Sequence, residues 1–183
     1  MNTTIQNGYL ELIIGPMFSG KTSRLVSIYK QYKFCNIPVC VINHDIDTRY
    51  HDELLSTHDK IMIPCIKVNK LNDIMNRKEL LESNVILINE GQFFEDLYNN
   101  VFELIQQNKK VYICGLDGDF ERKKFGQILD LIPLCDKVTK LTSLCSKCKN
   151  GIPGIFSMRI TEEKQQTLVG SGNYIPVCRK CYE

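Results

Sequence analysis

The chain has no apolar run approaching the roughly 18 residues needed to cross a bilayer. Its opening residues, MNTTIQNGYLELII, lack the basic stretch that begins a secretory signal. Membrane insertion and export drop out, and the cytosol is the expected compartment. Charge of one sign is also scarce: 23 Lys and Arg against 21 Asp and Glu leave a formal +2, spread along the chain. A short basic run such as Arg122-Lys123-Lys124 reads as a solvated face, so nucleic acid is not expected as a partner. No internal repeat and no low-complexity tract occurs, which removes solenoids and fibres. What remains is a folded chain of 183 residues, 43% hydrophobic and 24% charged, enough for one ordinary domain carrying a small appended module.

Cysteine is the abundant exception, with nine. A reducing compartment argues against disulfides, so metal binding is the question these residues raise. Cys35, Cys40, Cys65, Cys114 and Cys135 lie singly in or beside apolar strings, where a thiol acts as a small hydrophobe. The other four form two C-x-x-C pairs, Cys145/Cys148 and Cys178/Cys181, separated by 29 residues. Each short step lets two thiolates converge on one tetrahedral ion, and four sulfurs leave no open position for water. A structural zinc site is expected, with a redox dithiol as the competing reading.

Short β-branched runs alternate with amphipathic stretches. Tyr9 to Ile14, Val39 to Ile42, Val85 to Ile88, Val111 to Cys114 and Val138 to Leu141 read as strands. Lys21 to about Lys33 reads as a helix from the three- and four-residue spacing of Leu25, Val26, Ile28, Tyr29 and Tyr32. Further helical candidates lie near Leu71 to Leu81, Asp96 to Gln107 and Gln127 to Ile132. The expected fold class is α/β, a P-loop NTPase-like parallel sheet with flanking helices, plus a small zinc-ribbon-like module. The character changes after Leu141, so the boundary is set at residues 1–141 and 142–183.

Gly15-Pro16-Met17-Phe18-Ser19-Gly20-Lys21-Thr22 satisfies G-x-x-x-x-G-K-[ST] between a strand and a helix. Glycines let backbone amides curl around phosphate oxygens, Lys21 reaches the β and γ phosphates of ATP, and the Thr22 hydroxyl holds Mg²⁺. Val85 to Glu90 resembles a Walker B strand in which Asn89 stands at the expected aspartate. Glu90 is then the carboxylate positioned as general base for an attacking hydroxyl.

Together these residues resemble the thymidine kinases of the cellular, zinc-containing type. The likeness runs from Leu12 to Tyr182 through GPMFSGKT, DTRY (Asp47 to Tyr50), THD (Thr57 to Asp59), NEGQFF (Asn89 to Phe94), LDGDFERKKFG (Leu116 to Gly126), KLTSLCSKC (Lys140 to Cys148) and YIPVCRKCY (Tyr174 to Tyr182). The resemblance implies a homotetramer and a lasso-like loop closing over the base. It implies Glu90 as the base for the 5′-hydroxyl. Asp47, Thr48, Arg49, Gln92 and Arg122 fall to the nucleotide side with the P-loop. Met17, Phe93, Leu116, Phe120, the stretch Gln166, Thr167, Leu168, Val169 and Gly170, and Tyr174 fall to the nucleoside side, with Phe120 on the thymine. The activity implied is transfer of the γ-phosphoryl group of ATP to thymidine, with deoxyuridine possible. Two alternatives stay open: a P-loop ATPase whose zinc module binds a partner, and a non-catalytic nucleotide-binding scaffold, which Asn89 alone supports.

Overall fold

The computed structural model describes residues 7–46, 54–56, 61–168 and 170–183. In chain order it contains β1 (Tyr9–Ile14), α1 (Lys21–Phe34), β2 (Val39–His44), β3 (Leu54–Ser56), β4 (Met62–Pro64), β5 (Ile66–Val68), α2 (Lys78–Leu81), β6 (Val85–Asn89), α3 (Leu97–Gln106), β7 (Lys110–Gly115) and β8 (Lys137–Lys140). The remainder comprises β9 (Ser143–Leu144), β10 (Pro153–Gly154), β11 (Phe156–Arg159), β12 (Tyr174–Val177) and α4 (Arg179–Tyr182). Six strands form one parallel sheet in the order β5-β2-β6-β7-β1-β8.

The period of two along each strand sorts its side chains onto opposite faces. Leu10, Leu12, Ile86, Ile88, Val111 and Ile113 join Leu97, Val101 and Leu104 of α3 in one core cluster. Ile13, Val41, Leu87, Tyr112 and Cys114 meet Leu25, Val26 and Ile28 of α1 in the other. Both faces are covered, which is why these strands read as unbroken apolar runs. Burying one such Leu or Ile contributes about 1.5–3 kcal/mol.

Glu11 is the departure within β1, 3% exposed in an otherwise apolar strand. It accepts from the hydroxyls of Thr139 (2.8 Å) and Tyr9 (3.1 Å), and Lys137 lies 3.2 Å away. Burial pushes its pKa up, but those partners outweigh burial and hold it below the ordinary carboxylate value.

Several expectations need correction. The stretch from Leu71 to Leu81 is not one helix but a 3₁₀ turn, Leu71–Asp73, and the single turn α2. The Asp96 carboxylate takes the Leu71 and Asn72 amides, and Arg77 is extended, so no helix can run through. Lys109 then closes α2 by donating its ammonium to the carbonyls of Leu80, Leu81 and Ser83. Gln127 to Ile132 is a 3₁₀ segment, Ile128–Leu134, with Pro133 inside it. The strand expected at Val138 to Leu141 is β8, one residue earlier, and β2 runs on to His44. Strands β3, β4 and β5 had no counterpart in the expected set. Cys40, Cys65 and Cys114 are buried as small hydrophobes, whereas Cys35 is exposed and Cys135 only half-buried.

After β8 the chain forms two small antiparallel pairs, β9 with β10 and β11 with β12. They are tied together where the Ser146 amide donates to the Pro176 carbonyl at 2.9 Å. Among the described residues no helix is long and apolar enough to cross a membrane.

Candidate active site

The sheet order puts β7 between β1 and β6, so the loop after β1 and the carboxylate after β6 converge across the C-terminal edge of β7. The P-loop lies at the N-terminus of α1, where four orphan backbone amides face outward. Gly15, at φ 145°, has no room for a side chain: a Cβ would lie 2.3 Å from the Leu141 carbonyl oxygen. The loop is therefore seated on the chain leaving β8. Lys21 folds over it and donates to the Pro16 carbonyl at 2.6 Å, a contact that phosphate oxygens can replace. Cys114, below the loop, donates its thiol to the Lys21 carbonyl at 3.3 Å.

Thr22 and Asn89 meet, with the threonine hydroxyl 3.5 Å from the Asn89 carbonyl oxygen. The Asn89 amide nitrogen donates in turn to Asn43 Oδ1 at 3.0 Å, so its oxygen faces Thr22. Glu90 follows with φ 55°, a left-handed conformation that costs a non-glycine residue roughly 1–2 kcal/mol. Its Oε2 accepts from Gln92 Nε2 at 2.7 Å, and Gln92 Oε1 accepts from the Leu116 amide at 2.9 Å. Gln92 is 3% exposed and so aims the carboxylate from a fixed position.

One cavity joins these parts. It is lined by Met17, Phe18, Ser19, Gly20, Lys21, Thr22, Asn89, Glu90, Gln92, Phe93, Leu116, Phe120, Gln166, Thr167, Leu168 and Tyr174. Phe93 stands edge-on to Phe125, ring centroids 5.4 Å apart, giving the cavity an aromatic wall. Of the remaining expected positions, Gly15, Pro16 and Gly170 do not line it. Asp47, Thr48, Arg49 and Val169 fall outside the described residues.

Arg122, expected on the nucleotide side, packs on aromatic rings. Its guanidinium sits 4.2 Å from the Tyr182 ring centroid and 5.6 Å from that of Phe156, and it does not line the cavity. Its backbone is left-handed, φ 68°, and the two aromatic faces offer the cation a partner. The Tyr182 hydroxyl also donates to the Phe120 carbonyl, so α4 grips the loop after β7.

Two residues of this neighbourhood had no motif to announce them. The Ser157 hydroxyl accepts from the Met17 amide at 2.9 Å, joining β11 to the P-loop. Arg159, 8% exposed, lies 3.8 Å from the Phe120 ring centroid and 5.1 Å from that of Tyr174. A buried arginine was a detectable anomaly only once β11 was known to be a strand.

The four paired cysteines come together, every sulfur within 4.8 Å of the others. Cys148 Sγ is 3.1 Å from Cys181 Sγ and 3.6 Å from Cys178 Sγ. The Cys148 amide, 3.4 Å from its sulfur, is first among the contacts that pull the Cys145 thiol down to about 6. Four converging thiols with no oxygen or nitrogen competitor are the donor set that zinc prefers, and the residues fit that ion.

Comparison with known proteins agrees with this geometry. The thymidine kinase family model matches residues 8–182. A thymidine kinase of sheeppox virus (strain KS-1) is 41% identical over 176 residues, covering 96% of this chain and 97% of that protein. One of vaccinia virus (strain Western Reserve) is 38% identical over 179 residues, covering 97% and 98%. Thymidine kinase 1 of Dictyostelium discoideum is 39% identical over 180 residues, covering 96% and 78%.

Proposed function

The chain belongs to the thymidine kinase family, and from that premise we propose that it transfers the γ-phosphoryl group of ATP to the 5′-hydroxyl of thymidine, giving dTMP. The observation that carries the reading is the shared cavity, in which the P-loop and Glu90 open onto Phe120, Tyr174 and the Gln166–Leu168 stretch. A neutral pyrimidine needs a flat apolar slot with a few backbone contacts, and aromatic side chains from separate loops supply it. Glu90 takes the hydroxyl proton as the substrate oxygen bonds the γ-phosphorus. The bond from that phosphorus to the bridging oxygen breaks, and ADP leaves. Thr22, with Asn89 accepting from a metal-bound water, would hold the magnesium carried with the triphosphate, and that ion would neutralise phosphate charge.

The test is turnover of the four deoxynucleosides with ATP and Mg²⁺. Thymidine is the fastest substrate, with deoxyuridine second. ATP hydrolysis with no nucleoside phosphorylated would favour the partner-binding ATPase, and complete inactivity would favour the scaffold.

Residues 142–183 form the module that Cys145, Cys148, Cys178 and Cys181 close around zinc, against the nucleotide-binding part at 1–141. Protein purified under reducing conditions without chelator carries about one zinc per chain by metal analysis. A value near zero would return the cysteines to the redox reading. The active assembly is a homotetramer in the cytosol, a reading that rests on family resemblance, and sedimentation measures the first half of it.

Asn89 makes a signed prediction. A neutral amide accepts a hydrogen bond from a metal-bound water but adds no negative charge near the ion. Asn89→Asp therefore lowers the Mg²⁺ concentration for half-maximal rate by a few-fold, provided Asn43 flips its amide to donate to the new carboxylate. Titration of Mg²⁺ against initial rate checks it. An unchanged midpoint would mean that position 89 does not face the ion.

A further inference from the structure

We propose that Arg159 is a positioning residue that holds the substrate loop and the base-stacking aromatic in register, so that the nucleoside slot exists before nucleoside arrives. Arg159 ends β11 and stands directly opposite Tyr174 of β12, so this pair closes the base of the loop between the two strands. From there its guanidinium turns into the loop it closes. One terminal nitrogen donates to the carbonyls of Glu163 (2.7 Å) and Gln165 (2.6 Å). The other donates to the Gln166 carbonyl (3.1 Å) and the Tyr174 phenol (2.5 Å).

These contacts fix backbone, and backbone carbonyls carry no charge to balance a cation. Among the described residues no carboxylate lies within ion-pair distance of Arg159, and its Nε is buried without a hydrogen-bond partner. A group placed only to stabilise the fold would be served better by an apolar side chain of similar volume. What the guanidinium provides is geometry: a planar fork reaches three carbonyls at once while its flat face rests on a ring. That ring is Phe120, which comes from the loop after β7 and not from the hairpin. Covering one face of Phe120 leaves its orientation set for the other. A second tie reinforces the link, since Gln166 also donates its side-chain amide to Asp119 at 2.7 Å.

The inference rests on the proposed nucleoside site, and its test separates the two. Arg159→Met keeps length without charge, and Arg159→Lys keeps charge without the fork. Tyr174→Phe removes only the phenol. Each is made in the full chain and assayed for thymidine KM, ATP KM and kcat, with hydrogen–deuterium exchange of the free protein over residues 161–168. Both Arg159 variants raise thymidine KM roughly tenfold or more and leave ATP KM within about twofold. Exchange in the loop speeds by about tenfold while β1 and β6 keep their protection. Tyr174→Phe gives a smaller rise, about threefold, from the loss of one charge-assisted hydrogen bond. Thymidine KM and loop exchange both unchanged in Arg159→Met would overturn the proposal. So would protection lost evenly across the sheet with ATP KM rising in parallel, which marks a general stability residue. A parent enzyme that phosphorylates no nucleoside would sink the proposed function, while loop exchange would still decide whether Arg159 holds the loop.

Discussion

Glu90→Gln lowers kcat for thymidine by roughly two or more orders of magnitude, the scale of a lost general base, and leaves nucleotide affinity nearly intact. The substitution is almost isosteric and keeps an oxygen for the Gln92 amide to reach, so the pocket survives and only the proton acceptor is lost. Two structural facts favour this residue over any neighbouring carboxylate. Glu90 holds a left-handed backbone conformation, which costs free energy and persists where the surroundings enforce it. Its carboxylate is also oriented by a buried amide whose other end is fixed to the strand edge at Leu116. Steady-state kinetics at saturating ATP decide the matter, and turnover within a few-fold of the parent would remove Glu90 from the role.

Gly126→Ala destabilises the protein by about 3 kcal/mol or more, combining a left-handed φ of 60° with a collision against backbone. A Cβ at Gly126 would sit 2.0 Å from the Gln92 carbonyl oxygen, a partner that cannot rotate away. For a chain of this length that loss lowers Tm by about 6–12 °C. Activity falls as well, by roughly tenfold, because the residue pushed aside is the one that aims Glu90. Calorimetry and kcat measured on the same preparation test both halves. A Tm within 2 °C of the parent, about 0.5–1 kcal/mol at this size, would show that the two loops separate at little cost.

The parallel sheet and the convergence of the four paired cysteines were legible in the sequence because each rests on local pattern. Unbroken β-branched runs mark doubly covered strands, and paired C-x-x-C steps bring sulfurs together two at a time. Errors fell where a distant partner decides local form. Leu71 to Leu81 has helical spacing, yet Asp96 captures its first amides. Gln127 to Ile132 was expected as an α-helix, yet Ile128–Leu134 winds as 3₁₀ turns with Pro133 inside. The contacts of Arg122 with Tyr182 and Phe156, sixty and thirty-four residues away, were equally hidden from local pattern. Arg159 and Gln92 act through buried hydrogen bonds that no spacing announces.

The strand order has a consequence for synthesis. β1 emerges first, yet its neighbours in the sheet are β7 and β8, and Tyr9 finds its register partner only at Lys110. At about 5–20 residues per second, a ribosome needs roughly 5–20 s to deliver that partner. During this interval Leu10, Leu12 and Ile13 have no sheet to join, and the nascent chain presents the kind of bare apolar strand that holding chaperones bind. Slow codons placed shortly after β1 would prolong that exposure, whereas the same codons after β8 would fall when all six strands of the sheet are already made.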